Sequence, residues 1–389
     1  MKTIEILFWT LIAIVFYTYI GCGIILYIMI TIKRLIKKNK NIPQTNYEPD
    51  VTLLIAAYNE KDFVDQKVHN TRKLDYPAEK LHQIWVTDGS DDGTPDLLRK
   101  HPEITVLHLP GRNGKIAAMN RGMKKVETPI VIFSDANTLL GENSIRKIVE
   151  LFKNTKTGCV SGEKRIQNFE KNAAAGAGEG IYWKYESTLK KWDAELNSVV
   201  GAAGELFAIR TELFHEVEPD TILDDFIISL RVAMQGYKIQ YDPEAFAMEM
   251  ASANVEEELK RKIRIAAGGI QSIIRLLPLL NIFKYKLLSF QYISHRVLRW
   301  TVAPLAIVII FVLNIFLLNS AIVYSVIFYG QFLFYAAAIL GWYLEKKEIK
   351  LKVIFIPYYF FIMNYAVYMG FLRFIKKSQS VNWERAKRG

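Results

Sequence analysis

The stretch LFWTLIAIVFYTYIGCGIILYIMITI, residues 7–32, carries no charged side chain. It exceeds the roughly 20 apolar residues that a membrane-spanning helix needs. Charge returns at once in KRLIKKNK (33–40), with five positive side chains. A cleaved leader has a shorter apolar core and a small-residue cleavage site, so residues 1–35 read as a retained transmembrane anchor. Three later runs, 297–319, 321–344 and 353–372, are also long enough to span.

These segments explain the net charge of +11. Beyond KRLIKKNK, the tail RFIKKSQSVNWERAKRG (373–389) adds six positive charges against one negative, which leaves the rest near neutrality. Basic residues beside apolar spans mark the cytoplasmic face and meet anionic lipid. The charge therefore points to membrane lipid as a partner and not to nucleic acid. The two cysteines, Cys22 and Cys159, imply no disulfide framework, which suits a reducing cytoplasm. The expected localisation is the inner (plasma) membrane, multi-pass, with the soluble domain cytoplasmic. Three spans after that domain would carry the basic tail outside, against the positive-inside rule. The aromatic-rich IPYYFFIMNYAVY is the suspected interfacial or re-entrant segment.

Between the membrane regions, VTLLIAAYN, HQIWVTDGS, EITVLHLP and PIVIFSDANT are apolar runs separated by helix-like polar stretches. That alternation predicts an α/β fold, a mostly parallel sheet with crossover helices. Ligands of open α/β sheets bind beyond the carboxyl ends of the strands. Three runs end there in polar tips: Tyr58-Asn59-Glu60, Thr87-Asp88-Gly89-Ser90 and Ser134-Asp135-Ala136-Asn137. The stretch AAAGAGEG (173–180) reads as a flexible loop, and IQSIIRLLPLLNIFKYKLLSF, broken by Pro278, as interfacial amphipathic helix (266–296).

Each motif has two readings. Asp88 in VTDGSDDGT either shapes a strand-to-helix turn or accepts a hydrogen bond from a nucleobase. Lys115 in GRNGKIAAMNRG either starts a helix as a solvated side chain or places a cation near a nucleotide. Asp135 and Asn137 share a side if the strand stays extended. Hard oxygen ligands so spaced suit Mg²⁺ or Mn²⁺ on a substrate diphosphate. Asp224 and Asp225 open an amphipathic helix, as caps or as paired acids whose mutual repulsion tunes a general base. Arg261 and Arg264, three apart, share a helix face, either against the membrane or as a diphosphate clamp. Tyr182 and Trp183 in IYWKYE either pack an interface or line an acceptor path.

Taken together, AAYNE, TDGSDDGT, NGK, SDAN, GAAGELFAIR, LDDF and RKIRI resemble family 2 glycosyltransferases, in consistent order from about 51 to 300. The resemblance implies a membrane-anchored inverting enzyme with a GT-A fold, its catalytic domain at 48–265 and C-terminal membrane segments at 297–372. It implies Tyr58 and Glu60 beside uracil, Asp88 as a base or ribose contact, and Lys115 and Asp135 near the nucleotide. It implies metal on Asp135 and Asn137, and Asp225 as catalytic base. Gly204, Glu205 and Asp224 fall near the acceptor, and Arg261 and Arg264 near the diphosphate. There are three departures from the family pattern: Asn137 replaces an Asp, Asp224 a Glu, and Arg261 with Ile265 the Gln and Trp of processive synthases. The expected activity is transfer from a UDP-sugar, UDP-GlcNAc or UDP-glucose favoured, to a lipid-linked or glycan acceptor. The alternative is a non-catalytic nucleotide-binding subunit of an envelope polysaccharide complex.

Overall fold

The computed structural model describes residues 2–36, 47–167, 176–250, 255–347 and 351–376. Its strands are β1 (Val51–Ala57), β2 (Leu81–Asp88), β3 (Ile104–Leu109), β4 (Ile130–Asp135), β5 (Leu139–Leu140), β6 (Thr157–Gln167), β7 (Leu206–Arg210) and β8 (Lys238–Met250). They form one sheet in the order β3-β2-β1-β4-β7-β6-β8-β5. Parallel pairing joins β1 to β2 and β4, β2 to β3, and β6 to β8. Antiparallel pairing adds β7 between β4 and β6, and β5 beside β8.

Every residue of β1 is buried, because both faces of the sheet are covered. Leu54, Ala56, Val86 and Phe133 meet Ile116 and Met119 of the helix Lys115–Met123 and Phe226 of the helix Asp224–Met234. Val51, Leu53 and Ile55 meet Val64 and Val68 of the helix Lys61–Arg72 and Ile145 of the helix Ser144–Leu151. Runs apolar at every position, rather than at alternate ones, are what a doubly covered strand requires. The chain winds outward from β1 through β2 to β3, then returns to β4 on the other side of β1. That reversal opens a crevice at the carboxyl ends of β1 and β4.

The anchor Lys2–Ile36 is one 35-residue helical stretch with a π-helical turn at Tyr17–Gly21. At 1.5 Å per residue it measures roughly 50 Å, well beyond a hydrocarbon core of about 30 Å. Its excess end docks on the helix Gly176–Leu196. Leu26 and Ile30 pack against Leu189 and Leu196. Lys33 Nζ donates to the carbonyls of Glu195 and Leu196 at 2.5 and 2.7 Å, a cation placed where the helix dipole is negative. Buried polar pairs tie that same helix to the segment Leu287–Trp300. Glu186 meets Arg296 at 3.1 Å and Arg299 at 2.9 Å, and Asp193 meets His295 at 2.6 Å.

Among the described residues, Lys2–Ile36, Ile322–Glu345 and Val353–Ile375 are long and apolar enough to cross a membrane. Leu287–Trp300 and Val302–Leu317 form a bent pair, 50° apart, which counts as a fourth if it is one span. The break in that pair falls at Thr301, where φ −129° and ψ −76° leave the helical region, whereas IPYYFFIMNYAVY, the suspected interfacial or re-entrant segment, lies within the continuous helix Lys352–Ile375. Pro357 does not break the later helix, because it lies in the first turns, where a proline disturbs few backbone hydrogen bonds. The loop expected at 173–180 is also corrected in part. From Gly176 the chain is helical, while 173–175 lie outside the described residues, as does the tail beyond 376.

Candidate active site

Adjacent parallel strands bring the polar tips into one row. Ala56 is in register with Val86 and with Asp135, so Tyr58, Asp88 and Asp135 emerge at neighbouring points of the same edge. Asp88 is 4% exposed. Its Oδ2 accepts the backbone N–H groups of Asn113 at 2.9 Å and Gly114 at 2.6 Å. Its Oδ1 is buried and has no hydrogen-bond partner, with Arg121 Nη1 3.8 Å away. One oxygen of Asp88 thus fixes the loop before Lys115, and the other remains for a ligand. Asp88, Tyr58, Arg112, Gly114 and Lys115 line a cleft of about 210 Å³. Sequence reasoning missed Arg112, whose guanidinium lies 3.8 Å from the Tyr58 ring centroid. The contact depends on Gly89, which has φ +71° and where a Cβ would lie 2.8 Å from Arg112 Cβ. Glu60 is buried at the start of the helix Lys61–Arg72, its N–H donating to Thr94 Oγ1 at 3.1 Å.

Lys115 joins the strand tips to the helix that opens with paired acids. Its Nζ lies 2.9 Å from Asp135 Oδ1 and 3.3 Å from Asp224 Oδ2. Burial disfavours the ammonium, but Asp135, Asp224 and Asp225 outweigh that and raise its pKa above the ordinary lysine range. Asp135 is raised, chiefly by burial, with Lys115 opposing. Asp225 is pushed up to about 7 by burial and then by repulsion from Asp224. A Cβ at Gly204 would stand 3.3 Å from Asp225 Oδ2, so the glycine leaves room beside that carboxylate.

Asn137 does not lie on an extended strand as expected. β4 ends at Asp135, and a turn follows in which Thr138 N–H donates to Asp135 O at 3.4 Å. Once the backbone turns, the alternation that put Asp135 and Asn137 on one side no longer applies. Asn137 is 8% exposed. Among the described residues no three His, Cys, Asp or Glu side chains cluster as a metal cage. One carboxylate with a nearby amide instead fits a Mg²⁺ or Mn²⁺ that takes most of its ligands from water and substrate phosphates.

Glu205 lies close enough to Asp225 and Asp135 to repel both. Burial pushes its carboxyl up, but Lys164 Nζ at 2.7 Å and Arg261 Nη2 at 3.1 Å outweigh that and hold it well below the ordinary range. Lys164 and Arg261 also pair with Glu249. Arg261 is therefore engaged by carboxylates, whereas Arg264, half-buried on the same helix Val255–Arg275, forms no hydrogen bond or ion pair among the described residues. Lys164 and Glu249 escaped sequence reading, since nothing local marks two charges on β6 and β8 as neighbours of Glu205. Tyr182 and Trp183 fall in the helix Gly176–Leu196, and their side chains lie outside the described residues.

The reversing parallel sheet with its antiparallel β7 insertion, flanked by apolar helices at both ends, is the architecture of a GT-A glycosyltransferase. Residues 49–268 match the family described as "Glycosyltransferase like family 2". That is more than half of the chain, which belongs to this family, as the resemblance implied. The chain is similar to poly-beta-1,6-N-acetyl-D-glucosamine synthase of Staphylococcus aureus, 28% identical over 233 residues, 58% of this chain and 56% of the relative. The same enzyme of Staphylococcus epidermidis is 26% identical over the same shares. The chain thus spans about half the length of the curated relatives it matches. Among solved structures it is similar to the mannosyltransferase PcManGT from Pyrobaculum calidifontis in complex with GDP-Man and Mn²⁺. That likeness has a TM-score of 0.70 at 21% identity and covers 96% of this chain and 100% of the other; it shows the fold.

Proposed function

We propose that the chain transfers a hexosyl or N-acetylhexosaminyl group from a UDP-sugar to a lipid-linked or glycan acceptor at the membrane, with inversion. UDP-GlcNAc is the favoured donor, in keeping with the product in the relatives' names, and UDP-glucose is second. The observation that carries the reading is Lys115, an ammonium within 3.3 Å of acids from both β4 and the helix Asp224–Met234. It joins the nucleotide cleft to the paired acids that open that helix.

In this reading Tyr58 and Asp88 hold the nucleoside, with Asp88 Oδ1 as the acceptor for a donor N–H or O–H. Asp225 removes the proton from the attacking acceptor hydroxyl. With its pKa pushed up to about 7 a large share of it is ionised at neutral pH, and that share is basic enough to take the proton. Its carboxylate oxygen gains the proton as the acceptor oxygen bonds to the anomeric carbon and the UDP bond breaks. Asp135 and Asn137 would hold a divalent cation, which shares the charge growing on the departing diphosphate. Lys115 and Arg264 add positive potential there. Glu205, Asp224, Tyr182 and Trp183 belong to the acceptor side.

The catalytic domain is cytoplasmic in this reading, on the basic side of the anchor. If Leu287–Leu317 enters and leaves by one face, the remaining spans return the basic tail to the cytoplasm, which satisfies the positive-inside rule. Exposed Leu277, Ile282 and Phe283 beside Lys284 support interfacial contact with lipid.

The test is UDP release by detergent-solubilised protein offered UDP-GlcNAc, UDP-glucose and GDP-mannose with Mn²⁺ and a membrane lipid extract. Release confined to one UDP-sugar, with the label appearing in lipid or glycan, supports the reading. Nucleotide binding without release from any donor would favour the non-catalytic subunit.

A further inference from the structure

The helix Lys61–Arg72 packs on the sheet face away from the Lys115 helix, and it buries a lysine there. Lys67 is 1% exposed. Its Nζ donates to Ser134 Oγ at 2.8 Å and to the Thr138 carbonyl at 2.7 Å, with Thr138 Oγ1 at 3.5 Å. The Thr138 hydroxyl in turn donates to the Asp135 carbonyl at 3.0 Å. Three residues on, and so on the same helix face, Asn70 grips Leu140. Its Nδ2 donates to Leu140 O, and Leu140 N–H donates to its Oδ1, both at 2.8 Å. One helix thus holds both ends of the segment 134–140, and Asp135 and Asn137 lie between the two grips.

The choice of lysine needs a reason. Among the described residues Lys67 forms no ion pair. Burial pulls its pKa down to about 7, and Asp135 is the acid whose field opposes that. A methionine of similar length would fill the space without desolvating a charge. An ammonium adds two things a methionine lacks: donors that set the turn, and positive potential behind Asp135.

We propose that Lys67 is a positioning residue for the donor diphosphate, a buried amine whose hydrogen bonds to Ser134 and Thr138 set the 134–138 turn and so aim Asp135 and Asn137. The inference rests on the donor-site reading above.

The test measures UDP binding by calorimetry on the full chain in detergent, across a Mn²⁺ titration, alongside thermal unfolding. For K67M, the Mn²⁺ concentration giving half-maximal UDP binding should rise about 10- to 100-fold, the usual cost of removing a group that orients a metal ligand. The melting temperature should hold or rise, because a buried charge has been replaced by an apolar group. A K67M protein with unchanged Mn²⁺ dependence, whatever its melting temperature, overturns the assignment. Should K67M fail to fold, S134A keeps the amine but removes one acceptor. It should weaken Mn²⁺-dependent UDP binding about 3- to 10-fold, roughly the net worth of one ordinary hydrogen bond, and unchanged binding again overturns the assignment. A wild type that binds no UDP at any Mn²⁺ concentration overturns the donor reading itself, and the role of Lys67 with it.

Discussion

The two halves of the cleft are built differently. On the nucleotide side, Asp88 is held by two backbone amides and Tyr58 by one guanidinium. Those partners come from the strand tips and from the loop packed on them. On the base side, Asp135, Asp224, Asp225 and Glu205 crowd around Lys115, Lys164 and Arg261. Those charges come from β4, β6, the segment before β7 and three helices. The first half is fixed by backbone hydrogen bonds and one ring contact. In the second, like charges share a low-dielectric space, and their protonation depends on one another. Binding and chemistry should therefore respond to different perturbations.

The largest effect should come from D225N. Turnover is expected to fall about 10²- to 10⁴-fold, the range for loss of a general base, while calorimetry finds UDP affinity nearly unchanged. Equal loss of both would erase the distinction between the halves. Next is D88A, which should behave in the opposite way. Leaving the Asn113 and Gly114 amides unpaired costs about 1–3 kcal/mol, so UDP binding should weaken about 5- to 100-fold while the pH profile of turnover stays in place. A shifted profile in D88A would mean the halves are electrostatically continuous.

The pH dependence sharpens the contrast. As the proposed base, Asp225 would have to be ionised to act, and its pKa is raised to about 7. Turnover should therefore fall as pH drops below about 7, with UDP binding far less affected over that range. D224N removes the repulsion that helps raise Asp225, so the acid limb should move to lower pH. A limb that stays put would assign it to another group. The smallest effect belongs to the anchor's exposed salt bridge. Arg34 meets Glu195 at 2.6 Å with the Arg34 side chain 54% exposed, and R34A should leave the melting temperature almost unchanged in thermal unfolding.

Much of the nucleotide half was legible from local pattern. Apolar runs that end in Tyr58, Asp88 and Asp135 become strands in register, because a doubly buried strand has to be apolar throughout and its first polar residues mark the edge. Gly114 before Lys115 marked the start of a helix, and the structure has one there. The expectation for Asn137 failed because a turn cancels strand alternation. The bend between Leu287–Trp300 and Val302–Leu317 was not legible, because Thr301 carries no local signal for a break.

By itself, the sequence determined that the chain has an anchor, a two-faced sheet with acids at its carboxyl edge, and acids opening a later helix. Each of these follows from short-range periodicity and burial. Only the tertiary structure decided that Lys115 reaches both sets of acids, that Lys67 lies beneath Asp135, and that Arg261 spends its charge on Glu205 and Glu249. Those pairings join residues up to about a hundred positions apart. Coulomb energy depends on distance in space and on the surrounding dielectric, and neither is written in the order of the residues.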